Sequence, residues 1–163
     1  MEANSLSVRE ADYLVALYVK GGTSRPVKPS IIAEVLGVAK PTATLMLKKL
    51  ITRGLVKRVE GGYELTGEGL KLVKEIIWRH GVVEGALLKL GLSKDEACMV
   101  ARLVELNIPM DSLQCIWRNL GCPAECPHGL RISIDVDESS PATCRPLRAC
   151  VTRSLNEYKS NKS

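Results

Sequence analysis

Ten residues, Leu120-Gly-Cys-Pro-Ala-Glu-Cys-Pro-His-Gly129, hold two cysteines and a histidine. Cys115 precedes them and Cys144 and Cys150 follow, so the five cysteines are separated by 6, 3, 17 and 5 residues. Thiolates are soft ligands that select zinc or iron–sulfur clusters over manganese. The paired Cys-x2-Cys knuckles of zinc fingers are absent from this spacing. Cys122 and Cys126 each precede a proline, a frequent arrangement at iron–sulfur ligands. The pattern points first to an iron–sulfur cluster on four of Cys115, Cys122, Cys126, Cys144 and Cys150. Zinc, a disulfide or redox thiols, and unconnected cysteines remain open.

A smaller constellation lies upstream. His80 and Glu84 are spaced i, i+4 and share a helix face. A simple ion pair accounts for them as well as a ligand pair does. Cys98 also reads as a small buried hydrophobe, the usual state of a free cysteine. No nucleophile–base pair, Gly-rich phosphate loop or His-Glu-x-x-His motif occurs, so the chain is not expected to be an enzyme.

The elements that must position these groups can be traced from the N-terminus. Ser7-Val-Arg-Glu10 is a capping box opening a helix with Leu14, Leu17 and Tyr18 as its apolar stripe, stopped by Gly21-Gly22. Pro29 suits the start of a second helix, with Ile31, Ile32, Val35 and Leu36 as its buried face and Gly37 as its end. Pro41 opens a third, basic helix closed by Gly54, with Leu47, Leu50 and Ile51 inward. Val56–Val59 and Tyr63–Leu65, joined through Glu60-Gly-Gly62, form a hairpin. A helix-turn-helix followed directly by a hairpin is a winged helix.

A long helix then runs from about Gly67 to Leu90, apolar at Ile76, Ile77, Val83, Leu87 and Leu88. Ser93-Lys-Asp-Glu96 caps another helix with Val100, Leu103 and Val104 inside, and Pro109 begins a last one ending at Gly121. The expected fold is mainly α with a small β-wing. Residues 1–75 form a winged helix-turn-helix, 76–130 a helical dimerisation and metal-sensing domain, and 131–163 a cysteine-containing tail.

Charge supports a polyanionic partner. Of 163 residues, the first 79 carry 13 Lys/Arg against 8 Asp/Glu, whereas the rest carry 10 of each. Residues 40–58 contain Lys40, Lys48, Lys49, Arg53, Lys57 and Arg58 and no acid. A run without interspersed carboxylates lacks the partners of an ordinary solvated face. Lys40, Pro41, Thr42, Thr44, Lys48 and Lys49 on the third helix, with Lys57 and Arg58 on the wing, are the candidate contacts to double-stranded DNA. No apolar run approaches the roughly 20 residues needed to cross a bilayer. The N-terminus has neither a basic nor an apolar leader-like stretch, so a cytoplasmic location is expected.

In order and spacing the chain resembles the diphtheria-toxin-repressor class of iron- and manganese-dependent regulators, over roughly residues 5–132. The resemblance is carried by Asp12-Tyr13-Leu14, Ala33-Glu-Val-Leu-Gly-Val38, Lys40-Pro-Thr-Ala-Thr44 and Arg53-Gly-Leu-Val56. It continues through Leu65-Thr-Gly-Glu-Gly69, Trp78-Arg-His80 with Glu84, Asp95-Glu-Ala-Cys98 and Cys126-Pro-His-Gly129. It implies a homodimeric, metal-responsive transcriptional regulator of the shorter, two-domain form. The family's metal ligands match at Asp12, His80, Glu84 and Cys98. The Glu and His that should follow Cys98 are replaced by Ala101 and Arg102, and a shifted register would recover Glu105 but not the histidine.

The expected function is thus a metal- or redox-responsive DNA-binding regulator that senses iron through a cysteine-ligated iron–sulfur cluster. Zinc, or an ordinary Fe(II) or Mn(II) site at Asp12, His80, Glu84 and Cys98, is the alternative cofactor. The other function is a winged-helix protein-interaction module with structural zinc.

Overall fold

Ser7 and Glu10 close the capping box reciprocally. The Ser7 hydroxyl accepts from the Glu10 N–H while the Glu10 carboxylate accepts from the Ser7 N–H at 2.9 Å. In the computed structural model, which describes residues 6–123 and 125, this cap begins α1 (Val8–Val19). It is followed by α2 (Pro29–Leu36), α3 (Lys40–Thr52), the hairpin β1 (Val56–Val59) and β2 (Gly62–Leu65), and α4 (Gly67–Lys89). The last two helices are α5 (Lys94–Val104) and α6 (Met110–Asn119).

The wing is antiparallel, with Val56 opposite Leu65 and Val59 opposite Gly62, which leaves a two-residue turn at Glu60-Gly61. Gly61 takes φ +85° at the second central position, the place where glycine suits a turn. Val27 adds a bridge on the other edge, exchanging N–H···O bonds of 2.9 and 3.0 Å with Tyr63. Gly62 permits that approach, because a Cβ there would lie 2.5 Å from the Val27 carbonyl oxygen. The loop before α2 therefore fixes the wing against the helix-turn-helix.

Leu14, Leu17, Ile32, Leu47 and Leu50 are fully buried and join α1, α2 and α3 into one core. Each contributes roughly 2 kcal/mol relative to an exposed side chain. The core continues without a break into α4 through Leu72, Val73, Ile76 and Trp78. Trp78 meets Trp117 of α6 edge to face, with ring centroids 6.1 Å apart. The boundary expected at 75/76 lies within this helix, which packs on α1 and also on α5 and α6.

Two helices turn different faces inward from those expected. In α2 the buried residues are Ile32 and Ala33, and Ile31 and Val35 are 38% and 44% exposed. In α5 the inward residues are Ala97 and Ala101, while Leu103 is 63% exposed. Both helices are apolar on more than one side, so periodicity alone does not choose the face. In α5 the small alanines face the core, bringing its backbone close to α4.

Candidate metal centre and nucleic-acid face

Arg79 is 2% exposed and, with Glu84, is one of two charged side chains buried on α4. Its guanidinium makes three bonds: Nε pairs with Glu75 at 2.7 Å, and Nη1 donates to the Glu105 carbonyl at 3.1 Å and the Ile108 carbonyl at 2.8 Å. This fixes the α5–α6 connection on α4 and with it the position of Glu105.

The Glu105 carboxylate then accepts a 2.6 Å hydrogen bond from His80 Nδ1. A carboxylate can only accept, so Nδ1 carries the proton and Nε2 faces the other way. There it lies 3.6 Å from Cys98 Sγ and 3.9 Å from Glu84 Oε2. One donor atom from each of His80, Glu84 and Cys98 falls within 4.8 Å of the others. Glu84 is fully buried, whereas His80 and Cys98 are half-buried on the wall of a cleft of about 490 Å³ between α1, α2, α4 and α5.

The electrostatics suit a cation. Burial alone would lower the His80 pKa, but the hydrogen bond and charge of Glu105, with Glu84 behind, raise it above the ordinary value. Burial pushes the Cys98 thiol up, reinforced by the Glu84 and Glu105 charges. Nitrogen, sulfur and carboxylate oxygen converge, with a carboxylate behind the histidine that sets its tautomer. This is the donor chemistry of a divalent transition-metal site with an oriented imidazole. The residues present therefore fit such an ion.

Asp12, expected as a fourth ligand, is not part of this cluster. Its carboxylate is paired with the Arg102 guanidinium, which joins α1 to α5 across 90 residues. The guanidinium thus takes the carboxylate that an ion would otherwise engage.

Of the five cysteines expected to supply a cluster, the described residues include Cys115 and Cys122. Cys115 is disulfide-bonded and so presents no thiolate. Cys122 is a free, exposed thiol just beyond the α6 cap, with φ +53°. Cys126, Cys144 and Cys150 lie outside the described residues. Of the five cysteines expected to share a cluster, Cys122 alone is a free thiol among the described residues. A disulfide, one of the alternatives open from the spacing, is what Cys115 forms.

Most of the residues expected to contact DNA are exposed. Lys40, Pro41, Thr42, Lys48 and Lys49 are exposed on α3, and Lys57 and Arg58 on β1. Two of the lysines are engaged: Lys49 pairs with Glu10 at 3.4 Å and Lys57 with Glu64 across the hairpin at 3.0 Å. The half-buried Thr44 donates its hydroxyl to the Lys40 carbonyl at 2.9 Å. Glu10 also holds Arg53 at 2.8 Å, tying the start of α1 to the end of α3. The anchor Arg79 and the orienting role of Glu105 are not among the expected features of the site. The signal available was charge, since Arg79 and Glu84 stand in an otherwise apolar stretch.

Family models match both parts of the chain. Residues 5–61 match the iron-dependent repressor N-terminal DNA-binding domain, and residues 66–133 match the iron-dependent repressor metal-binding and dimerisation domain. An uncharacterized HTH-type transcriptional regulator from Aeropyrum pernix is 27% identical over 98% of this chain and 89% of its own length. The crystal structure of a hypothetical protein from Sulfolobus solfataricus superposes with a TM-score of 0.67 at 31% identity, covering 79% of this chain and all of that one. The manganese-activated repressor ScaR, solved with bound Zn2+, is 31% identical with a TM-score of 0.67. It is aligned over 77% of this chain, which spans 59% of the ScaR chain. The chain belongs to the iron-dependent repressor family and is a metal-dependent transcriptional regulator, not an enzyme. No single helix among the described residues is long and apolar enough to cross a membrane.

Proposed function

We propose that this chain represses transcription as a DNA-bound homodimer tuned by a divalent cation held by His80, Glu84 and Cys98. The observation that carries the reading is the convergence of these three donors on one point with Glu105 behind His80. The thiol and imidazole favour zinc or Fe(II) over Mn(II). When bound, the ion would supply positive charge between α4 and α5 and neutralise the buried Glu84. It can shift the protein only by binding one arrangement of those helices better than another. An iron–sulfur cluster is not part of this reading, because solved structures that the chain resembles hold Zn2+ or manganese.

Double-stranded DNA is the partner of α3 and the wing. Lys40 and Lys48 are exposed and in no ion pair among the described residues, so they are the ammonium groups readiest to displace counterions. The Lys40→Ala, Lys48→Ala double variant is expected to weaken binding to a duplex enriched from a random pool. It should also flatten the slope of log K against log salt by roughly 0.9 for each phosphate no longer neutralised. Fluorescence anisotropy between low and moderate salt measures this. An unchanged slope would reassign the face.

The homodimer is built on α5. Met99, Leu103 and Val104 are 62%, 63% and 38% exposed on this one short helix, a cluster that an isolated chain leaves in water. Met99→Asp with Leu103→Asp should convert a dimer into a monomer by light scattering at micromolar concentration. A monomeric wild type, or a double variant that stays dimeric, would count against it.

A further inference from the structure

Leu45 lies in the middle of the basic face and is 71% exposed. Single exposed leucines are common on protein surfaces and usually signify nothing. This one sits on α3 in a shallow depression lined by Lys40, Pro41, Thr44 and Lys48. We propose that Leu45 reads the C5-methyl groups of thymines in the major groove and is a main determinant of this regulator's sequence preference. The inference rests on the DNA-binding reading above and deepens it.

The helix is notable first for what it lacks. Lys40–Thr52 contains no Asn, Gln or Arg, which leaves its lysines as the side chains able to make a bidentate bond to a base, and to guanine alone. Its hydroxyls are also largely spent. Thr44 donates to the Lys40 carbonyl and Thr52 to the Lys48 carbonyl, at 2.9 and 3.2 Å, so neither proton is available to a base. The remaining hydroxyl, Thr42, sits in the first turn, where a phosphate is the natural partner. Charge points the same way. The leucine is flanked by Lys40 and Lys48, and residues 40–58 hold no acid, which fits a polyanion and opposes a basic protein surface.

An aliphatic side chain at the centre of the face can recognise only an apolar feature of a base. The thymine methyl is the apolar group that the major groove presents, and it distinguishes T·A pairs by packing rather than by hydrogen bonding. Burying one methyl-sized group changes affinity roughly fourfold.

The test uses the full chain and a duplex enriched by it from a random pool. Each thymine is replaced in turn by deoxyuridine, which removes the methyl and nothing else. Wild-type protein should lose affinity roughly fourfold at one or more positions. Leu45→Ala should bind thymine and uracil equally there, with the salt slope unchanged. Leu45 is so exposed that the variant keeps its fold, which circular dichroism checks. The proposal is overturned if no position distinguishes thymine from uracil, or if Leu45→Ala retains the difference. It is also overturned if Leu45→Ala lowers the mass in light scattering, which would assign the side chain to a protein interface. A wild type with no salt-dependent DNA binding would instead overturn the DNA-binding reading itself.

Discussion

His80→Ala is expected to raise the dissociation constant for Zn2+ by roughly 100-fold or more, since removing a group that merely orients a metal ligand typically costs 10–100-fold. His80 is the one group that touches every other member of the centre. Its Nε2 faces Cys98 and Glu84, and its Nδ1 is held by Glu105. Glu105→Gln keeps the shape but weakens the acceptor behind the imidazole, so its effect should be smaller, roughly tenfold. Competition against a chromophoric chelator measures both, with Zn2+ stoichiometry from elemental analysis. The order wild type, Glu105→Gln, His80→Ala is the expected result. Wild-type affinity in His80→Ala would sink the centre, and equal loss in both variants would make Glu105 a ligand rather than an orienting group.

The second large effect is on stability. Burial alone would raise the Glu10 carboxyl. Hydrogen bonds from Ser7 and the Arg53 guanidinium outweigh it and bring the pKa from 4.5 down to about 2. Glu10 is 2% exposed, so little solvent screening discounts the difference, and its ionised form contributes about 3 kcal/mol. A depressed carboxyl stabilises the fold above its unfolded pKa near 4.5, and the contribution is lost as pH falls toward 2. Glu10→Gln should therefore be less stable than wild type by about 3 kcal/mol near neutral pH. The gap should close progressively from about pH 5 to about pH 2 in urea unfolding. Parallel stability curves over that range would show that the Ser7–Glu10–Arg53 link contributes nothing. Because the link joins α1 to the end of α3, the variant should also loosen the helix that meets DNA.

Much of this fold is written locally. The Ser7–Glu10 and Ser93–Glu96 capping boxes, the Gly37 and Gly121 stops and the wing turn are readable from the sequence, because each is decided within about four residues. The inward faces of α2 and α5 are not, because neighbouring helices choose between several apolar sides. The centre is half legible. His80 and Glu84 share a helix face at i, i+4, and Cys98 stands with them in the family pattern. Glu105 reaches His80 from 25 residues away only through the packing of α5 on α4 and the Arg79 anchor. Of the five spaced cysteines, Cys115 is in a disulfide and Cys122 is a free thiol, and the other three lie outside the described residues.

The Asp12–Arg102 pair gives the α1–α5 junction a property that a metal bridge would not have. An ion can be chelated, diluted or exchanged for a competitor. A guanidinium is covalently part of the chain and stays charged at every physiological pH. The junction between the DNA-binding helices and α5 therefore has a floor that chelation cannot remove and that only ionic strength weakens. With Arg102 56% exposed, that floor is shallow, about 1 kcal/mol or less. On the proposed reading, removing the cation is expected to leave this link in place, so the change across the α1–α5 junction is smaller than in a junction bridged by an ion alone.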